Sequence, residues 1–259
     1  MRSLVRGLSA QINVVEALVI RETRTRYGRF ALGYVWAFAE PLLWIGAFLL
    51  AFQLGRRHIP NDMDAVGFLA TGLLPFILFR TTVSRTMGAI RANKALLYYP
   101  QVRPLDLVLA RGILEFITLS VVFLILLFGN TIYLEHLPLD SALQIIVGLI
   151  FSSVLAGSFG LAVGSLATMA PSVENLVSPL LRPLLWISGV FFTAAELPTR
   201  IREVLLWNPL LQITEMVRAG WYRSFDSNHY SYFYLCAWIL AMAFFALTLE
   251  RVARRKLEI

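Results

Sequence analysis

The segment Ile12-Asn13-Val14-Val15-Glu16-Ala17-Leu18-Val19-Ile20-Arg21-Glu22-Thr23-Arg24-Thr25-Arg26-Tyr27-Gly28-Arg29 runs directly into a stretch that stays apolar almost throughout to Leu54. The second part is long enough to cross a hydrocarbon core of roughly 30 Å at about 1.5 Å per helical residue. The first part is too short and too charged to do so. It reads as a helix in the interface over residues 10–29, apolar side down, although Val14, Val15, Leu18, Val19 and Ile20 wrap more than one face. Four arginines, Arg21, Arg24, Arg26 and Arg29, precede the span. Such a cluster is retained on the cytoplasmic side, so the span over residues 30–55 is expected to enter from the inside.

Composition agrees with a membrane protein. Hydrophobic residues make up 58% and charged residues 15% of the 259 positions, and mean hydropathy is +0.69, values that a soluble domain of this length rarely combines. The net charge of +7 sits mostly in short loops beside apolar runs. Topology therefore explains it better than nucleic-acid binding. Cys236 is the single cysteine, which excludes an intramolecular disulfide. The N-terminus lacks an apolar run followed by a small-residue cleavage site, and is expected to be retained and cytoplasmic.

Further spans are expected over residues 65–83, 105–129, 143–169, 176–195 and 230–250, with both termini inside. Pro41 should kink the first span, with Glu40 beside it. A carboxylate at that depth must face protein or water. Two readings stand for Glu40: a hydrogen bond to a neighbouring helix, or a gate on a pathway. Arg111 and Glu115 have the i, i+4 spacing of a pair on one helix. Ser153/Gly157 and Gly160/Gly164 are small-xxx-small pairs suited to close helix packing. Arg182 either snorkels to the headgroups or faces an aqueous path. Two apolar pieces around Asn208-Pro209, within residues 199–222, are each too short to span and suit an outer re-entrant hairpin. Between the second and third spans, residues 88–99 form a short basic-plus-apolar helix. Two readings stand for it: a solvated loop, or a docking helix for a soluble partner built from Arg91, Asn93, Lys94, Leu96, Leu97, Tyr98 and Tyr99, and the apolar residues beside charges favour docking.

Catalytic signatures do not emerge. Lys94 and Lys256 are the only lysines, and neither completes a nucleotide-binding P-loop. His58, His136 and His229 lack metal-ligand spacing, and no span holds a histidine for a buried hydrolase triad. No metal, and no cofactor in this chain, is expected. The fold expected is all-α and integral to the membrane, with six transmembrane helices, an N-terminal interfacial helix and the outer hairpin.

These features resemble a known family. The basic segment feeding Leu32-Gly33-Tyr34-Val35-Trp36 and Glu40-Pro41 is similar to the opening of ABC-2 type exporter permeases. The order interfacial helix, six spans, coupling helix after the second span and re-entrant helices before the sixth covers essentially the whole chain. Three stretches look closest to capsular-polysaccharide export permeases of Gram-negative bacteria. They are Arg21-Glu22-Thr23-Arg24-Thr25-Arg26-Tyr27-Gly28 with the preceding Glu16-Ala17-Leu18, then Gly88-Ala89-Ile90-Arg91-Ala92-Asn93 with Arg103-Pro104-Leu105-Asp106, and Leu205-Leu206-Trp207-Asn208-Pro209-Leu210. The resemblance implies a homodimer in the inner membrane, joined to two copies of a separate ATPase that holds the ATP and Mg. Its cargo would be a lipid-linked acidic polysaccharide passed on to periplasmic and outer-membrane export partners, with membrane lipid but no nucleic acid as a further partner. On that view Arg21, Arg24, Arg26 and Arg29 also recruit the anionic lipid end of the cargo. Trp36, Phe38, Trp44, Trp186 and Phe191, with Glu40 and Arg182, line a path where sugar rings stack without a deep minimum. Two alternatives remain: an ABC-2 permease for O-antigen, teichoic acid or another lipophilic cargo, and a membrane enzyme acting on lipid-linked sugars.

Overall fold

Asp64 starts the helix around which the others pack. Its carboxylate accepts from the Gly67 amide (2.6 Å) at the N-cap of α3 (Ala65–Met87), satisfying one of the orphan donors of the first turn. In this computed structural model, which describes residues 2–27, 32–55, 59, 63–135, 137–225 and 227–256, α3 is buried almost all round. The other helices are α1 (Arg2–Tyr27), α2 (Leu32–Leu54), α4 (Ala89–Ala92), α5 (Pro104–Leu134), α6 (Ala142–Ala167), α7 (Val173–Ile187), α8 (Thr199–Leu205), α9 (Pro209–Trp221) and α10 (Tyr232–Lys256). Short 3-10 turns occupy Lys94–Tyr98 and Ala194–Glu196. All regular structure among the described residues is helical.

The protein is an all-α membrane protein. Ala65–Met87, Pro104–Ile132, Ala142–Ala167 and Tyr232–Arg255 are each long and apolar enough to cross a bilayer, and Phe38–Leu54 is a shorter apolar helix. Arginines gather where α1, α3, α4 and α10 end, and the two-helix α8–α9 segment lies at the opposite end of α3, where Tyr222 bonds Asp64. These are called below the basic end and the hairpin end.

In lipid there is little hydrophobic drive between helices, so close backbone approach and interhelical hydrogen bonds decide the packing. The α3–α6 contact shows both. A Cβ added at Gly160 would come within 1.8 Å of Thr86 Oγ1, and one at Gly164 within 2.6 Å of the Met87 carbonyl oxygen. Ser152 Oγ donates to the Pro75 carbonyl (2.8 Å) at the proline inside α3. The Ser153/Gly157 pair behaves differently: a Cβ at Gly157 would meet nothing within 4 Å, and both residues border an open groove. Gly160→Leu is therefore expected to destabilise the purified chain by about 1–3 kcal/mol through overpacking, whereas Gly157→Leu leaves it folded. Size-exclusion profiles after a heating series check this, and equal losses in the two variants would contradict it.

α7 begins and ends earlier than the span expected over residues 176–195, closing at Ile187 after 15 residues. Gly189 then takes a left-handed φ of 71°, a conformation that favours glycine. The carbonyls released by the break are met by side chains: Asn208 Nδ2 donates to Ile187 O (3.1 Å), Thr214 Oγ1 to Ser188 O (2.8 Å) and Arg218 to Gly189 O (2.9 Å). Irregular backbone in a membrane protein is tolerated where it is buried in protein and hydrogen-bonded in this way.

α1 is docked on α5 as well as amphipathic. Leu18 is buried with Leu107, Val108 and Leu161, and Gln11 bonds Asp106. Arg111, whose spacing suggests a partner in Glu115 on its own helix, donates to Glu22 Oε1 of α1 (2.8 Å) and to the Arg85 carbonyl (2.8 Å). Glu115 has Arg85 Nε at 3.7 Å. The charged residues of α5 thus bond across helices.

Candidate functional site: a cationic and aromatic groove

α2, α3 and α7 line a groove of about 670 Å³ that reaches Ser84 and Arg85 near the basic end of α3. Two helical stripes build it. Glu40, Trp44, Phe48 and Phe52 recur every four residues on α2, and Ser178, Arg182 and Trp186 do so on α7, so each set shares one helix face. Glu40, Trp44, Arg182 and Trp186 all line the groove, with Arg80, Thr81, Ser84 and Arg85 of α3 between them.

Arg80 holds the site's electrostatics together. Its Nη2 lies 3.1 Å from Glu40 Oε1 and its guanidinium sits over the Trp44 ring at 5.8 Å from the centroid. The ion pair joins α2 to α3 and leaves both side chains about a third exposed. Solvent screening keeps its contribution to stability small. Its structural effect is to neutralise Glu40; with Arg85 facing Glu115, Arg182 is the groove cation that leaves the lining net positive. Glu40 bonds a neighbouring helix, the first of its two readings, and also lines the groove.

Below the groove the aromatics form a continuous plate. Trp44 stacks on Phe48 (5.7 Å between centroids), Phe48 meets Phe191 edge-on (4.6 Å), and Trp186 lies against Phe191 (5.0 Å). Phe52 extends the row to Phe68 (6.5 Å) toward the hairpin end. Phe191 is buried, whereas Trp186 is 64% exposed. Phe191 therefore supports the plate and Trp186 presents a face. Trp36 is exposed and Phe38 packs on the core, and neither lines the groove.

The expected docking segment is divided by Asn93, which ends α4 and starts the 3-10 turn. Asn93 is buried; its Nδ2 donates to Ala89 O (3.0 Å) and its Oδ1 accepts from Arg21 of α1 (2.9 Å). Leu97 is 1% exposed and belongs to the core with Leu18 and Leu107, so it points into this chain and not outward. Arg91, Lys94, Tyr98 and Tyr99 are exposed, and Leu96 is half-buried. Arg91 also reaches Glu174 Oε2 of α7 at 2.6 Å. Of the four clustered arginines, Arg21 is bonded to Asn93 and Arg24 is exposed. The side chain of Arg26 and all of Arg29 lie outside the described residues, as do His58 and His136.

At the hairpin end, Arg218 and Glu215 of α9 are both fully buried, with Arg218 Nη1 3.6 Å from Glu215 Oε1. Glu215 accepts from the Ala194 amide (3.0 Å) and Ser227 Oγ (2.6 Å), and Arg218 lies 4.2 Å from the centre of the Phe68 ring. Beyond α9, burial and the adjacent Asp64 push the Tyr222 hydroxyl well above the usual phenol range, so it is the donor to Asp64 Oδ1 (2.7 Å). Asn130 Nδ2 donates to the same carboxylate (2.6 Å).

Arg80, Phe48, Phe52 and the buried Glu215–Arg218 pair are absent from the residues that the sequence singles out. The signal for Arg80 was present: an arginine within the apolar run 65–83 is as costly as Glu40 in the first span. The four-residue stripe through Trp44 would have found Phe48 and Phe52.

The family model for ABC-2 type transporters matches residues 13–222. The chain belongs to that family. As such it is the membrane subunit of a transporter and not an enzyme. This permease is 33% identical over 249 residues to the polysialic acid transport protein KpsM of Escherichia coli, covering 95% of each chain. It is 30% identical over 243 residues to the capsule polysaccharide export inner-membrane protein CtrC of Neisseria meningitidis serogroup A, covering 93% of this permease and 91% of CtrC. It is also 30% identical over 218 residues to BexB, the corresponding protein of Haemophilus influenzae, with coverages of 83% and 82%. The matched region contains the groove, residues 88–99 and helices α8 and α9 of this permease together.

Proposed function

We propose that this permease, as a homodimer in the inner membrane with six spans per chain and both termini inside, exports a lipid-linked acidic capsular polysaccharide, driven by two copies of a separate ATPase that holds ATP and Mg. The observation that carries this reading is the groove. Its arginines attract carboxylates and phosphates, and its aromatic plate offers broad stacking faces without a deep pocket. Relatives named for polysialic acid transport and capsule polysaccharide export support the cargo class.

The chain's own bonds supply a route from the ATPase to the groove. Arg91, Lys94, Tyr98 and Tyr99 present the docking surface. From there Asn93 connects to Arg21 of α1, and Arg91 to Glu174 near the start of α7. α7 carries Arg182 and Trp186 into the groove. A rigid-body displacement of the docked segment would move one groove wall directly.

The double variant Arg182→Gln/Trp186→Ala tests the reading. It is expected to lower polymer export about tenfold in cells, the effect of about 1.4 kcal/mol of lost interaction, while the ATPase still co-purifies and hydrolyses ATP. Export at the wild-type level would remove the groove from the cargo path.

A further inference from the structure

α5, α6 and α10 enclose a second groove that shares no residue with the first. Its apolar part, about 340 Å³, runs past Leu109, Ile113, Val154 and Ala243, and is bounded along α5 by Leu105 and Phe116. Those two positions are about 16 Å apart at 1.5 Å per residue, which is one leaflet's depth of a roughly 30 Å hydrocarbon core. Gly157 keeps the middle open, since a Cβ there would meet nothing within 4 Å.

At the basic end, Leu105 and Leu247 are shared with a polar cavity of about 840 Å³ that carries Arg103, Arg251, Arg254, Arg255 and Glu250. Glu250 is taken by Arg254, whose Nε donates to it at 3.1 Å. No ion pair joins Arg103, Arg251 or Arg255 to a carboxylate among the described residues. Three guanidiniums therefore face a cavity continuous with a leaflet-deep apolar cleft.

We propose that this two-part groove binds one anionic phospholipid of the surrounding bilayer, its phosphate on Arg103, Arg251 and Arg255 and one acyl chain in the α5–α6–α10 cleft. The charge selects an anion, and guanidinium forks match phosphate oxygens. The attached cleft selects a lipid over a soluble phosphate, because only a lipid has an acyl chain to fill the apolar part while its phosphate meets the arginines. The bound lipid ties the end of α10 to the start of α5, immediately after the segment proposed to meet the ATPase. It is a constituent of the permease and separate from the cargo groove.

Native mass spectrometry of the delipidated full chain, titrated with phosphatidylglycerol or phosphatidylcholine, tests this. The wild type should retain one phosphatidylglycerol per chain in preference to phosphatidylcholine. Arg103→Gln/Arg251→Gln/Arg255→Gln should lose that preference by about tenfold or more, and Gly157→Leu should lose retention of both lipids by filling the cleft. Independently of any variant, phosphatidylglycerol should raise the melting temperature of the wild-type chain and phosphatidylcholine should not. Undiminished phosphatidylglycerol binding in either variant, displacement of the lipid by inorganic phosphate alone, or equal thermal shifts from the two lipids would overturn the proposal.

Discussion

Glu215→Ala is expected to be among the most damaging single substitutions in this permease. Arg218 and Glu215 are both at 0% exposure, and Arg218 is anchored to the Gly189 and Phe192 carbonyls (2.9 and 3.3 Å). Removing Glu215 leaves a buried guanidinium without its counter-charge and strips the Ala194 amide and the Ser227 hydroxyl of their acceptor. Breaking a buried pair from one side costs about 3–5 kcal/mol, a large share of the roughly 5–15 kcal/mol that holds a typical protein folded. The expected readout is loss of the monodisperse species in detergent, or a strongly lowered melting temperature. Glu215→Leu/Arg218→Met removes both charges while keeping apolar bulk, and should be milder than the sum of the two single changes. Single variants that melt with the wild type would show that the pair is dispensable.

The second large effect is expected on coupling, with folding left intact. Glu174 Oε2 meets Arg91 at 2.6 Å, while its Oε1 is buried with no hydrogen-bond partner among the described residues. This carboxylate is thus held near the docking segment by one exposed arginine. Glu174→Arg replaces attraction by repulsion between α4 and α7. ATP hydrolysis by the assembled complex should persist while polymer export falls by about 5- to 150-fold, the range for a coupling free energy of about 1–3 kcal/mol. The charge swap Arg91→Glu/Glu174→Arg should recover a substantial part of export. A Glu174→Arg complex that exports normally would disconnect α7 from the docking segment, and a swap that rescues nothing would assign the loss to Arg91's contact with the ATPase. Hydrolysis and export measured on the same reconstituted preparation separate the outcomes.

The two effects concern opposite ends of one construction. At the hairpin end, the Gly189 turn and the buried α9 pair fix where α7 stops and Phe191 begins the aromatic plate. At the basic end, Glu174 and Asn93 join α7 and α1 to the segment that faces outward. Each of these basic-end bonds has an exposed arginine as one partner, Arg91 or Arg21, whereas both side chains of the α9 pair are fully buried.

Much of the fold was legible in the residues. Apolar runs at 65–83, 105–129, 143–169 and 230–250 overlap the four helices long and apolar enough to cross a bilayer, because hydrocarbon length imposes a sequence-level signal. The family was legible as well, in the quoted motifs that lie within the matched residues 13–222. Glu40 and Arg182 were recognisable as unusual since a charge in an apolar run is costly wherever it points.

Directions were not legible. Leu97 and Tyr98 are neighbours in a short basic-plus-apolar segment, and nothing local tells that one is 1% and the other 77% exposed; the break at Asn93 and its bond to Arg21 decide it. The i, i+4 spacing allowed Arg111 to pair with Glu115, but Glu22 of α1, distant in sequence, offered a bond between helices. Glu215 and Arg218 lie within the 199–222 stretch, whose signal was apolar, and became a buried pair only because the α7–α8 turn brought its amide and carbonyls to them. Gly160/Gly164 and Ser153/Gly157 are the same pattern on one helix, and only the position of α3 made the first pair a contact and left the second open to the surroundings. Sequence by itself determined which segments must leave water and where charge had to be explained. The tertiary structure alone decided which partner each polar group found, since hydrogen bonds and close packing depend on short distances between residues far apart in the chain.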